Sequence, residues 1–347
     1  MLTCLVVIAA GIVLRQIDRY HFARSRPRVA SARELIALQR ARANDWTPAL
    51  LLVGQWVQIA GWWLLAGHGP VAAVVAVVGV AVQFRHLQEV SHFAVHGVLA
   101  RSARVNRVLA EALVHLPLGL VPVAVRRRRH VRDHHPNATL AADPNLAELR
   151  DAGLVPGASR LRFVLALLFP LTPRGIRATV TGIAANLRRS PGRAAVVAAV
   201  LAAAFLVGGP AALVCGVLVP RLLLYPLLAW GSLIVEHTWF DPEPRTGSPA
   251  WVEAGRCMRL YPYQRLLAAL AVVVWLPYGD LYHYAHSAHS SVRWNYLSAL
   301  ERHLAPPHFM PAALLWGPGS VVRQHWAALT PPSAAGAAPR RRVTRAA

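Results

Sequence analysis

Nine of the sixteen histidines in this 347-residue chain fall into four tight groups. They are His92 and His96; His130, His134 and His135; His237, which follows Glu236; and His283, His286 and His289. Neutral imidazole is the side chain that most often binds metal ions. Residues four apart project from one face of a helix. His92 and His96 can therefore grip one ion, and the same spacing joins His130 to His134. His134 and His135 are adjacent, so on a helix they diverge and can serve two ions. His283, His286 and His289 form a ladder of i+3 steps that can bracket two. All-imidazole sites suit iron, copper, zinc or nickel. The spacing predicts a polynuclear metal site.

The elements that must hold these groups are very apolar. Hydrophobic residues make up 55% of the chain and the mean hydropathy is +0.39, which points to a membrane protein. A first hairpin is expected to rise through residues 48–66, turn at Gly67-His68-Gly69-Pro70 and return through 71–84. A second is expected to rise through 194–207, turn at Gly208-Gly209-Pro210 and return to about 235. Pro220, Arg221 and Pro226 interrupt that return, and an arginine there must snorkel or face protein. The apolar stretches 161–171 and 264–278 are short and are read as interfacial or buried helices. Residues 1–14 are apolar but short for a span, and lack the charge and cleavage pattern of a secretory signal. The organisation expected is an N-terminal apolar segment and basic stretch (1–47), a membrane domain (48–305), and a tail (306–347), disordered from about 331.

Charge sets the topology. All 37 basic residues are arginine, against 15 acidic ones, for a net +22. Segments 15–47, 85–193 and 236–347 are arginine-rich, while the two turns carry no arginine. Cytoplasmic loops carry the excess of basic residues, so both turns are expected outside and all four histidine groups at the cytoplasmic face. The fold expected is all-α: an integral protein of the cytoplasmic membrane with two transmembrane helical hairpins and a cytoplasmic helical cap carrying a His-rich metal site. The arginines flank apolar segments, which disfavours a nucleic-acid partner. Arg126 to Arg129 read as an anchor on anionic lipid, or as a guide for an acidic electron donor or acyl carrier. Cys4, Cys215 and Cys257 form no CxxC pair and read as small buried hydrophobes.

Rival chemistries fit less well. No HExxH helix is present for a zinc protease. The segments 48–66 and 194–235 hold no histidine for a haem. Only Arg221 is an ionisable mid-membrane residue of the kind a metal transporter needs. A non-catalytic metal-binding membrane protein survives as the plain alternative. His21, His68, His115, His303, His308 and His325 read as surface or satisfied polar residues, and His86 stays open as a ligand.

The order of the groups resembles the integral-membrane fatty acid desaturase and hydroxylase family, whose mark is three histidine boxes. His92 to His96, followed by Gly97, resembles the first box; His130 to His135 resembles the second. Asn106 and the run 107–125 between them, Glu236-His237 with Trp239, and Asp280 before His283 and His286 resemble further family features. Ser291 to Trp294 resembles the stretch that follows the third box. The likeness covers roughly residues 45–305. It departs at Ser287, where the family has a histidine; His289 is expected to take over as ligand. The resemblance implies two non-haem irons on the nine histidines and O2 as co-substrate. It also implies a lipid or acyl substrate from the membrane and a separate donor of the ferredoxin or cytochrome b5 type. Desaturation is the reaction expected, with lipid or carotenoid hydroxylation or ketolation as the alternative. Carboxylates at Asp280, Glu236, Glu89 or Asp133 would orient ligand rings through their second nitrogens.

Overall fold

The computed structural model describes residues 1–23, 31–261, 263–314 and 317–330; the expected disordered tail lies outside them. Most of the described residues are helical and none forms a strand. Three helices among them are long and apolar enough to cross a membrane: Thr47–Ala66, Pro70–Val95 and Pro191–Glu236. We call Leu2–Ala23 α1, Ala32–Arg42 α2, Thr47–Ala66 α3 and Pro70–Val95 α4.

α1 does not stop at residue 14. It continues through Arg15 and Asp18 and lies along α3, because both polar residues find partners in the protein. Arg15 Nη1 meets His86 Nδ1 at 3.2 Å, and Asp18 grips Arg293 with both oxygens, at 2.9 and 3.0 Å. The two helices meet backbone to backbone at Gly11 and Gly54: a Cβ on either would lie 2.6 Å from the other's carbonyl oxygen. Small residues permit this close approach where apolar burial alone gives helices little reason to associate.

α4 also runs further than expected. Its 26 residues extend about 39 Å, against roughly 30 Å of hydrocarbon. The first half is apolar and largely exposed. From Gln83 onward the helix is buried together with its polar residues Arg85, His86, Glu89, Ser91 and His92. One rigid rod thus joins the apolar layer to the first histidine pair.

The helix Pro191–Glu236 is broken at Gly208 and Gly209, where Gly209 has φ +67°. Gly208 sits so close to α3 that a Cβ would lie 2.2 Å from the Trp63 carbonyl oxygen. On either side of the break, Val197 lies against Gly119 and Arg221 donates to the Leu118 carbonyl. Straight helix would separate Val197 from Arg221 by roughly 36 Å, so the chain folds back at the glycines. The short apolar stretches become the helices Arg160–Leu167 and Arg265–Val274.

Candidate metal centre

Eight of the nine grouped histidines converge on two adjacent clusters. His92, His96, His130, His135 and His286 form one; His134, His237, His283 and Glu236 form the other. Within each, the candidate ligand atoms all lie within 4.8 Å of one another. The clusters touch: the His283 and His286 rings are 5.8 Å apart, and those of His134 and His135 5.5 Å.

Local helix geometry decides which histidine joins which cluster. His92 and His96 stay together, as their spacing requires. The second group divides differently from expectation. Residues Arg128–His134 form a π-helix, and the His135 amide donates to the His130 carbonyl, five residues back. Side chains five apart then share a face, so His130 joins His135 while His134 turns to the other cluster. His283 and His286 go one to each cluster, the bracketing expected of an i+3 step.

His289 joins neither cluster. The helix His283–Ala288 ends before it, its backbone swings to φ −145°, and the ring stays half-buried. The ladder therefore has two rungs, not three. Position 287 has a different use. Ser287 Oγ donates to Glu253 Oε2 at 2.8 Å, and the same oxygen accepts from Cys257 Sγ at 3.4 Å. Cys257 Sγ in turn lies 3.4 Å from His237 Nδ1. Serine, carboxylate and thiol form a buried chain that holds the His237 ring. Cys257, read from sequence as a filler, belongs to this chain.

Two other carboxylates aim two more rings. Glu89 Oε1 accepts from His92 Nδ1 at 2.8 Å, and Asp143 Oδ1 from His134 Nδ1 at 2.9 Å. A proton on Nδ1 leaves Nε2 with its lone pair free, the state a metal requires. Asp143 escaped the sequence reading. Its signal was present: an acidic residue before Pro144 marks a helix N-cap, and Asp143 accepts the Asn145 amide in that role. Asp280 does not orient a ring. It binds Arg85 and accepts from Ser232 Oγ at 2.7 Å, and burial pushes its carboxyl up to about 7 against the pull of Arg85. Asp133 contributes its backbone carbonyl, to Asn137. Glu236 stands among the candidate ligands instead of behind them.

These residues fit metal. Four pairs of Nε2 atoms face each other: His92–His130 at 2.7 Å, and His96–His135, His130–His135 and His237–His283 each at 3.2 Å. Two nitrogens each about 2.1 Å from one cation, at right angles, lie roughly 3.0 Å apart. Both ring nitrogens of His286 and the Nε2 of His134 are buried without a hydrogen-bond partner among the described residues. Buried polar atoms are rarely left so unless something else satisfies them. Burial, reinforced by neighbouring rings, holds His96, His130, His237, His283 and His286 well below the usual imidazole range; burial and its neighbours hold His135 down to about 3. These six rings are held toward the neutral form, which is the ligand form.

The histidines outside the groups stand apart from both clusters. His86 bonds the Val273 carbonyl at 2.9 Å, His115 meets Ser91 Oγ at 2.9 Å, and His325 the Ile234 carbonyl at 2.9 Å. Asn106 is structural: it satisfies the amides of Leu99 and Ala100 and bonds the carbonyls of Ala100 and Ser102.

Asp143→Asn keeps the shape but loses the charge that holds His134. Metal affinity of the second cluster is expected to fall by about 10- to 100-fold, read by metal content after graded chelation. Unchanged retention would show that His134 is held by other means.

Three long apolar helices suggest a membrane protein, and the two histidine clusters beside them could hold metal ions. Residues 69–316 match the sequence model of the Fatty acid desaturase family, and the chain belongs to that family. No curated protein and no solved structure matches it significantly.

Proposed function

We propose that this protein is an O2-dependent membrane desaturase that introduces a double bond into a fatty acyl or other lipid chain. The observation that carries the reading is the convergence of eight histidines, from four separate segments, on two touching clusters. His92, His96, His130, His135 and His286 would hold one iron; His134, Glu236, His237 and His283 the other. Bound iron would supply O2 activation and hydrogen abstraction from unactivated C–H bonds. The protein's part is to keep the rings neutral, to aim them through Glu89, Asp143 and Cys257, and to keep bulk water out with apolar walls. Two electrons per double bond must come from a separate donor of the ferredoxin or cytochrome b5 type, so that O2 leaves as water.

The topology that suits this chemistry has two transmembrane hairpins, with turns at 67–70 and 208–210 on the outside. The clusters then belong to a cytoplasmic cap on the cytoplasmic membrane. The chain reversal at Gly208–Gly209 and the arginine-free turns support it.

Two experiments test the proposal. Purified protein from iron-replete cells is expected to hold close to two irons per chain and no haem; stoichiometric zinc without iron-dependent activity would overturn the assignment. Lipid profiling of cells with and without the chain should show new double bonds. New hydroxyl or keto groups instead would move it to hydroxylation or ketolation.

A further inference from the structure

Beside the clusters lies a cavity of about 610 Å³, within the usual size of a ligand pocket. His92 and His130 of one cluster and Glu236 of the other reach its wall. Leu120, Val125, Phe169, Ile183 and Leu233 make much of the remainder apolar.

Four arginines also line it. Arg85 is paired with Glu89 and Asp280, and Arg129 with Glu148. Arg126 and Arg221 form no close ion pair among the described residues, although Glu89 and Glu236 attract Arg126 from further away. Arg126 gives Nη1 to Ser91 Oγ at 3.1 Å and to the Gln88 carbonyl at 3.4 Å. Arg221 gives only Nε, to the Leu118 carbonyl at 2.8 Å, and lies 5.2 Å from the centre of the Tyr225 ring. Among the described residues neither of its terminal nitrogens has an acceptor.

Keeping two guanidinium charges against an apolar wall is costly unless something pairs with them. An arginine at membrane depth is as a rule a functional feature. Arg221 is also placed deliberately. Pro220 cannot donate a backbone hydrogen bond, and residues Pro220–Leu224 are π-helical, which widens the turn that carries Arg221. Arg126 is half-buried and faces the cavity, unlike Arg128, which is exposed, and Arg127, which caps the Val95 carbonyl.

We propose that this cavity takes an amphiphile with an anionic end, a carboxylate or a phosphate bound by Arg126 and Arg221, whose hydrocarbon part lies along the apolar wall. The planar guanidinium fork suits either anion. This names the chemical class of the substrate and rests on the desaturase reading given above.

The test is equilibrium binding to the purified full-length protein in detergent, with no electron donor present. The probes are radiolabelled palmitate, its methyl ester, and lysophosphatidate. Palmitate or lysophosphatidate should bind at least about 10-fold more tightly than the ester, the lower end of what one lost charged hydrogen bond costs. The anion that binds better identifies the source, free acid or phospholipid. Arg126→Gln and Arg221→Gln should each weaken anion binding by about 10-fold or more and leave the ester unchanged; Arg221→Lys, which keeps the charge but loses the fork, should fall between Arg221→Gln and wild type. Metal content and the thermal transition of each variant report folding, and Arg126→Gln, outside the long helices, serves if Arg221→Gln does not fold. Binding of neither anion more tightly than the ester, or full anion binding by folded variants of both arginines, would overturn the proposal. Because binding needs no turnover, failure of the desaturase reading would show separately, in the lipid profile.

Discussion

His286→Ala is expected to strip the metal from the five-histidine cluster and abolish product formation, while His289→Ala leaves metal and turnover close to wild type. The two residues are three apart and look alike in sequence. In the structure the His286 ring is buried with neither nitrogen partnered among the described residues, 4.5 Å from the His92 ring and 4.6 Å from that of His96. His289 follows the end of its helix. Its amide closes the turn to the carbonyls of Ala285 and His286, and its ring lies half-buried outside both clusters. Loss of a ligand should cost more than the 10- to 100-fold in metal affinity typical of losing a residue that only orients one. Metal analysis of the two variants beside wild type decides the matter. Equal iron loss from both would restore His289 as the replacement for the missing box histidine. Ser287→Ala gives a milder control: it cuts the hydroxyl from the chain that ends on His237, so any loss should fall on the second cluster.

The sequence was most informative where chemistry repeats at helical spacing. The three boxes, the glycine turn at 208–210 and the apolar rods are local patterns, and local patterns survive folding. His92 with His96, and the split between His134 and His135, followed from side-chain projection alone. What escaped depended on a change of helix type or on distant contacts. The π-helix at 128–134 moved His130 from His134 to His135, and nothing in Arg-Arg-His-Val-Arg-Asp-His announces five residues per hydrogen-bonded loop. Glu236 looked like a residue behind the ligands because its position relative to His134 and His283 depends on how the helix Pro191–Glu236 docks. α1 looked too short because its polar second half would be costly in lipid. Asp18 is tolerable only because Arg293, far along the chain, reaches back to it over the ring of Phe22 at 3.7 Å.

Arg85→Met is expected to destabilise the folded protein by about 3–5 kcal/mol, the range seen when one partner of a buried ion pair is removed. Arg85 is buried and binds five acceptors. They are Glu89 at 3.1 Å, Gln88 at 3.3 Å, Ser232 at 2.9 Å, the Trp275 carbonyl at 3.1 Å, and Asp280. These tie α4 to the helix that ends at Glu236 and to the segment entering the third histidine group. Methionine fills similar space but leaves two buried carboxylates without their cation. Glu89 also accepts from His92, so the damage should reach the five-histidine cluster as weaker metal retention. Asp280→Asn in the same chain removes one buried carboxyl that would otherwise stay charged at a cost or take up a proton, and should recover part of the lost stability. A single Arg85→Met variant with a wild-type thermal transition and full metal would show that this ion cluster does not hold the site together. A double variant no more stable than the single would place the cost on Glu89 instead.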